Sequence, residues 1–415
     1  ALIMGLVTGD MIFEGSQDAA VAQLGFQTDH VVAGTGRWMA AGLMADLPQA
    51  TLQKLHVGAY FAHELIFFFF LCFLPMGKHF HVITSLPNVF LMKLDKGTVK
   101  PVRWGVSDDA LDELDSFGVK KFEDFTWKHM LDFYSCVDCG RCSDNCPANA
   151  VKRPLSPRFI SIKSRDHAFK HYPLRGEITP SDEPLIGTLF SEDEIWSCTT
   201  CGACEQECPV FIEYIDKIVD LRRGMVDEGN VPQSLQKPLS ALEKRGNPWG
   251  KLEKKRLDWT QAKPFADEVE VKILSAKKNA ETLYFVDSIS SFDDRMQAIA
   301  QATARVLAAV GSDFGILGKA ERDSGHEVRR FGEEMLFQVL RDTNTEAIIG
   351  SGAKQIVPAD PHAFNALKHD YAGLPPVRHM CQFIRDHLEA GTLKFEGNAA
   401  ADQVFTYHDP CYLGR

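Results

Sequence analysis

Basic residues are in short supply. The chain of 415 residues carries 45 Lys and Arg against 56 Asp and Glu, a net charge of −11. Neutralising a phosphate backbone takes a basic excess, so nucleic-acid binding is not favoured. Apolar character is scarce too: mean hydropathy is −0.15, which excludes a multi-span membrane bundle over the whole length. Cysteine is nearly missing from most of the chain. Of 11 cysteines, eight fall in two short clusters, leaving Cys72, Cys381 and Cys411 apart. A disulfide scaffold would be short, secreted and evenly stapled. The clustering points instead to thiolate ligation of metal in a reducing compartment. With 45% hydrophobic and 24% charged residues the chain is too apolar for disorder, and its length suits two or three domains.

The opening ALIMGLVTGD has no charged region ahead of its apolar run and does not read as a signal peptide. It reads as the last turns of a membrane helix already in progress. The chain stops at His408-Asp-Pro-Cys411-Tyr-Leu-Gly-Arg415. Both ends read as cut, so a fragment of a longer protein is expected, with some ligands outside it.

One apolar run stands out, residues 55–77. Between 57 and 76 it holds one acid, Glu64, and one histidine, His63. Twenty residues of helix rise about 30 Å, the thickness of a hydrocarbon core. Residues 67–70 are all phenylalanine, which makes the helix apolar on every side and favours a span over the buried helix of a soluble protein. Lys78, Lys93, Lys96, Lys100 and Arg103 follow the run, whereas Lys54 and Arg37 alone closely precede it. The positive-inside rule puts the C-terminal side in the cytoplasm.

His63 and His81 are 18 residues apart. On one helix that is about five turns, so both would project from one face roughly 27 Å apart, with a kink at Pro75. Imidazoles near opposite membrane surfaces suit two stacked b-type haems, each taking its other axial ligand from a neighbouring helix. His56, seven residues before His63, competes for the role. His81, beside Lys78 and His79, also reads as an interfacial residue, and His63 as a packing or pore residue. The stretch FAHELIFFFFLCFLPMGKHFHVITSLPNVFL resembles the haem-b membrane subunit of respiratory nitrate reductases. That resemblance implies one haem each for His63 and His81, with partner histidines on an earlier helix. Glu64, Lys78 and His56 are polar groups that could meet a quinone, a haem propionate or the interface.

Cys136-x2-Cys139-x2-Cys142-x3-Cys146-Pro147 is followed 62 residues later by Cys198-x2-Cys201-x2-Cys204-x3-Cys208-Pro209. This is the run of a two-cluster [4Fe–4S] ferredoxin, in which the fourth cysteine of each run ligates the other cluster. Zinc sites, the alternative, do not need four cysteines in a repeated 2-2-3 run ending in proline. Gly140 and Gly202 follow the second cysteine, where backbone passes close to sulfur. The surroundings read as helical: residues 122–134 lead in, and FIEYIDKIVDLRR, residues 211–223, leads out with helical period. The layout resembles the α-helical ferredoxin domain of heterodisulfide reductase subunits and of the membrane-side subunit of anaerobic glycerol-3-phosphate dehydrogenase, with which it shares the phrase PLSPRF. Carried over, one cluster takes Cys136, Cys139, Cys142 and Cys208. The other takes Cys198, Cys201, Cys204 and Cys146.

Residues 236–280 read as a connector over the surface, with Trp249 and Trp259 as anchors. Strands at 282–286, 314–317, 355–358 and 404–407 then alternate with helices at 293–310, at 327–341 and from His362, which implies a parallel α/β layer. The phrases FGILGK, SGHEVRRFGEEMLFQ, DPHAFNALKHDY and YHDPCYLGR resemble the CCG domain of heterodisulfide-reductase-type Fe–S oxidoreductases. A CCG module uses a lone cysteine, a cysteine pair before Gly, then CxxC. Here those positions hold Ser288, Asp323-Ser324-Gly325 and Asp360-Pro-His-Ala363, at spacings of 35 and 37 residues. The first module keeps its frame and has lost its thiols, so Asp323 and Asp360 are expected to pair with Arg329, Arg330 or His362. Cys411 reads as the first cysteine of a second module, whose further cluster ligands would lie past Arg415.

The whole chain resembles a membrane-bound Fe–S oxidoreductase family that includes electron-transferring-flavoprotein:menaquinone oxidoreductases. The fold class expected is multi-domain α and α/β. Residues 1–97 form a haem b membrane domain with transmembrane helices, 98–235 an α-helical ferredoxin domain, 236–280 the connector and 281–415 the CCG-type α/β domain. The resemblance implies a quinone-linked oxidoreductase of the cytoplasmic (inner) membrane, its Fe–S and CCG parts on the cytoplasmic side. Its partners would be reduced electron-transferring flavoprotein or another cytoplasmic redox protein, menaquinone and lipid. A heterodisulfide-reductase-like thiol/disulfide enzyme and a non-catalytic electron-wiring subunit remain alternatives.

Overall fold

The computed structural model describes residues 2–26, 31–100, 118–173, 175–394 and 403–415; Arg103 of the basic flank lies outside them. The chain divides into two compact units, residues 1–87 with 166–179, and residues 88–165 with 180–415.

The first unit is helical. Helices Leu2–Gln23, Gly36–Met44 and Gln49–Phe73 come first. The opening residues are therefore not the last turns of a helix, because theirs runs on to Gln23. Among the described residues, Gln49–Met76 alone is long and apolar enough to cross a membrane, with a mean hydropathy of 1.9 in its most apolar window and 11% of that window buried. Leu65, Phe68 and Phe69 face outward. A core helix of a soluble protein would bury such side chains. The long helix does not continue to His81. Short 3₁₀ turns, Leu74–Met76 and Lys78–Phe80, flank an extended Gly77, and a separate helix, His81–Phe90, begins at the histidine. Pro75 explains the break, since it cannot donate to the ladder and its ring clashes with the preceding turn.

In the second unit a four-stranded parallel sheet has the order β1 (Lys272–Ile273), β3 (Phe314–Ile316), β2 (Thr282–Phe285), β4 (Gln355–Pro358). Successive side chains in a strand point to opposite faces. Leu283, Phe285 and Ile356 accordingly join a core with Phe337, Leu340 and Ile348. Tyr284, Val286 and Val357 join another with Ala300, Ala304 and Leu307. Burial on both faces is what a parallel sheet requires.

Three of the four expected strands are present. Residues 404–407 are not a strand, and Val404, Phe405 and Tyr407 are exposed. The fourth strand comes instead from residues 236–280, which also hold most of helix Gln233–Arg245 and the fully buried Trp259. The expected helix at 327–341 is two helices, His326–Arg330 and Glu334–Gly350. Gly332 separates them at φ 89°, and a Cβ there would come within 2.5 Å of the Arg223 backbone nitrogen. Glycine is thus required twice over, by conformation and by space. The expected helix at 293–310 is present as Gln297–Ala309, preceded by a separate short helix, Asp287–Phe292.

Candidate metal centres

The two cysteine runs fold alike. Asp138 and Thr200, each two residues after the first cysteine, have φ of 61° and 51°. Gly140 and Gly202, each one residue after the second, have φ of 85° and 76° and begin short helices, Arg141–Asp144 and Ala203–Gln206, that carry Cys142 and Cys204. Left-handed residues turn successive N–H groups inward, making a concavity suited to an anionic group. Thr200 is β-branched, so its left-handed backbone is a strained placement held by its surroundings. Some amides reach sulfur directly: Thr200 N–H donates to Cys198 Sγ at 3.3 Å and Ile212 N–H to Cys208 Sγ at 3.4 Å. Pro147 opens a helix after Cys146, where its missing N–H costs nothing.

The structure crosses the runs over. One cavity is lined by Cys136, Cys139, Cys142 and Cys208. A second is lined by Cys146, Cys198, Cys201 and Cys204. The remaining walls are largely apolar, and Tyr214 borders both cavities. Its hydroxyl lies 3.6 Å from Cys142 Sγ. Burial pushes the Cys136 thiol up to about 11 and raises Cys142 and Cys208 as well. Bare thiols there would hold their protons at neutral pH, so a metal must displace them. Four soft donors converging on each of two dry cavities fit two iron–sulfur clusters.

Beneath the cavities lies a buried charge network. Lys128 Nζ donates to Asp132 Oδ1 at 2.6 Å, Lys217 donates to the other carboxylate oxygen, and Glu213 N–H donates to it at 3.2 Å. Burial alone would raise the Asp132 carboxyl; Lys217 and Lys128 override it and hold it below the usual range. Burial lowers Lys217. Lys93, which follows the membrane stretch in sequence, bonds Asp216 at 3.2 Å. Nearby, His129 is fully buried with no hydrogen-bond partner for either ring nitrogen among the described residues. Burial, then Lys217, lowers it to about 3.

The 4Fe-4S dicluster domain family matches residues 132–212, which contain all eight clustered cysteines. The chain is 35% identical to a probable iron-sulfur-binding oxidoreductase, FadF, of Bacillus subtilis, over 86% of this chain and 55% of that protein. It is 30% identical to an EtfAB:quinone oxidoreductase of Syntrophomonas wolfei, over all of this chain and 61% of that protein. It is also 30% identical to one subunit of the dihydromethanophenazine:CoB–CoM heterodisulfide reductase of Methanosarcina barkeri, over 71% of this chain and 72% of that relative. The chain belongs to the heterodisulfide-reductase-type iron–sulfur oxidoreductases. It spans little more than half the length of the first of these relatives. No solved structure matches it.

In this family member the thiol-free module is packed differently from expectation. Asp360 caps helix Pro361–His369, accepting from His362 N–H at 2.7 Å and Ala363 N–H at 3.0 Å. Asp323 accepts from Gly325 N–H at 3.0 Å. Among the described residues neither pairs with Arg329 or Arg330. Those arginines bond Asp370 instead, at 2.8 and 3.2 Å. Ser288 is buried, and the neighbouring Asp287 accepts from Ser324 N–H at 3.1 Å. His362 pairs through its ring with Glu327. Short acidic side chains turn toward the nearest free amides because local hydrogen bonds cost little chain entropy.

His63 sits within the long apolar helix, its Nδ1 3.9 Å from Glu64. His81 Nδ1 is 2.6 Å from Lys78 O. His56 is engaged, with Nδ1 2.9 Å from Phe13 O and its ring stacked on Phe13 at 4.1 Å. Cys411 begins a short final helix, half-buried. Its neighbour Tyr412 carries no signal in the sequence, yet its hydroxyl lies 2.5 Å from Thr200 Oγ1 and 3.3 Å from Thr199 O in the second run. Tyr214 reads in the sequence only as part of a helix face. The left-handed pair in each run is a repeat that the cysteine spacing alone does not reveal; alignment of the two runs on one another, position by position, brings Asp138 over Thr200.

Proposed function

We propose that this protein is a membrane-bound electron-transfer oxidoreductase. It takes electrons from a cytoplasmic donor, reduced electron-transferring flavoprotein, and delivers them to menaquinone. Two [4Fe–4S] clusters, and two b haems on the membrane side, supply the one-electron carriers between donor and quinone. The chain's own residues hold and tune them. Cys136, Cys139, Cys142 and Cys208 hold one cluster; Cys146, Cys198, Cys201 and Cys204 hold the other. Amides of Thr200 and Ile212 donate to their sulfurs, and the apolar walls exclude water. Both features set potential. His63 and His81 are the haem ligands. For His81 the reading is supported by the backbone carbonyl of Lys78 at Nδ1, an arrangement in which Nε2 is the nitrogen that would ligate. The basic residues after the span put the cluster-bearing unit on the cytoplasmic side of the inner membrane.

The observation that carries the reading is the crossed set of eight cysteines around two cavities. The likeness to an EtfAB:quinone oxidoreductase supports the donor and acceptor. The test is menaquinone reduction by the full-length protein in lipid vesicles supplied with reduced electron-transferring flavoprotein. Turnover is expected, and Cys204→Ser is expected to abolish it. Clusters that reduce with dithionite but never with the flavoprotein would refute the donor.

A further inference from the structure

The thiol-free module brings together a different donor set. His326 and Glu327 start the His326–Arg330 helix, and His362 lies in the first turn of the Pro361–His369 helix. One ligand atom from each lies within 4.8 Å of the other two. His362 Nδ1 already contacts Glu327 Oε1, and the two imidazole rings are 4.7 Å apart. His326 is 1% exposed, and neither of its ring nitrogens has a hydrogen-bond partner among the described residues. Its Nδ1 stops 3.6 Å from Glu327, beyond hydrogen-bond reach. A buried imidazole left unpaired has lost its hydration with nothing to replace it. Native structures rarely retain such a group without a reason.

We propose that His326, Glu327 and His362 bind one divalent first-row transition ion, with zinc as the type case. Two imidazoles and one carboxylate suit zinc and its neighbours and do not suit calcium or magnesium, which prefer oxygen alone. Bonds of about 2.0–2.1 Å put tetrahedral ligand atoms roughly 3.3 Å apart, so the widest separation has to close by about 1.5 Å while the His362–Glu327 contact opens. The ion meets the unpartnered nitrogen of His326. It also gives Glu327 a cationic partner in a region where Asp323 and Asp360 add negative charge.

The consequence is mechanical. The ion ties the segment after β3 to the segment after β4, two of the three places where the thiols of a CCG module would have converged. Tyr412 presents its ring edge-on to both histidines, at 4.2 and 4.8 Å between centroids, and its hydroxyl bonds Thr200 and Thr199. A fixed His326–His362 pair therefore fixes the tyrosine that braces the Cys198–Cys201 loop. The lost cluster is replaced by a redox-inert clip that still supports the neighbouring one.

The test uses the full-length protein with its clusters in place. After chelator dialysis, it is titrated with zinc alone, and zinc and iron per chain are measured. About one zinc per chain is expected beyond the cluster iron. His362→Ala and Glu327→Gln should each weaken zinc binding more than about tenfold while iron per chain stays at the parental value. Iron content reports folding and excludes zinc that has entered the cysteine cavities, because such zinc rises only as iron falls. A parent that binds no zinc at full iron content overturns the proposal. So do variants that bind zinc as the parent does. Should His362→Ala lose iron as well, Glu327→Gln, which keeps the shape of the side chain, decides.

Discussion

Replacing Asp132 by alanine is the sharpest single perturbation of the cluster-bearing unit. Asp132 is fully buried and accepts from Lys128, Lys217 and the Glu213 amide. Its removal does not affect the two lysines equally. Lys128 keeps Asn88 Oδ1 at 3.0 Å and Glu213 Oε1 at 3.5 Å. Lys217 keeps the carbonyl of Glu213 at 2.7 Å, a neutral acceptor, as its nearest partner. Removing one partner of a buried pair costs about 3–5 kcal/mol because the other charge is left uncompensated. At about 2–4 °C per kcal/mol for a unit of this size, the transition should fall by roughly 6–20 °C. Glu213 also precedes Tyr214, which borders both cavities, so cluster loss should track the transition. The assay is thermal loss of cluster absorbance in the detergent-solubilised protein, read as a shift between variants because bound cofactors rule out a two-state analysis. Lys217→Met should cost less than Asp132→Ala, and adding it to Asp132→Ala should recover part of the loss by removing the orphaned ammonium. If Asp132→Ala shifts the transition by less than about 2 °C, or the double variant is no better than the single, the charge network does not hold this unit together.

Three further outcomes are expected. Cys208→Ser should impair the cluster of the first run and Cys146→Ser that of the second, as read by paramagnetic resonance and iron per chain; each variant damaging its own run's cluster would reverse the crossed assignment. His129 should make the parent acid-sensitive. Its folded pKa is depressed to about 3, so the unfolded chain takes up the proton first; the contribution is complete above about pH 6.5 and is lost as pH falls. Between about pH 7 and pH 5 the parent should lose about 2 kcal/mol more than His129→Leu does, about 4–8 °C more in the thermal transition, and equal shifts of that transition in the two proteins would rule this out. His63→Ala and His81→Ala should each remove one spectroscopically distinct haem b from membranes; retention of both haems in both variants would displace the assignment.

Local signals were legible in the sequence. The 2-2-3 runs announced the clusters because three sulfurs must reach one cubane from a few residues of chain. Strands at 282–286, 314–317 and 355–358 were legible because parallel strands buried on both faces read as short apolar runs. What failed was continuity. The five-turn link from His63 to His81 allows a kink at Pro75 within one helix, but Pro75 and Gly77 end that helix and turn the chain through two 3₁₀ segments. The helix expected over 327–341 assumed that Gly332 could be absorbed, whereas the Arg222–Arg223 backbone approaches there too closely for any side chain. The fourth strand was sought at 404–407 on alternation alone. Lys272–Ile273 takes the edge next to Gly315, where a Cβ would meet Leu274 at 2.5 Å, a fit no local pattern encodes.

At the positions that correspond to the cysteines of a CCG module, the carboxylates turn inward on their own amides: Asp323 on Gly325, Asp360 on His362 and Ala363. The arginines beside them are held by Asp370 and Asn365. These bonds seal each segment separately and join the arginine helix to the Pro361–His369 helix. None of them joins the 323–325 turn to the 360–363 turn. That task falls to Glu327 and His362, with His326 beside them, the same three groups that offer a metal its donors. The sequence pattern identified the positions where thiols were missing. It could not identify the replacements, because these sit beside the motif positions and meet only after the sheet has brought the ends of β3 and β4 together.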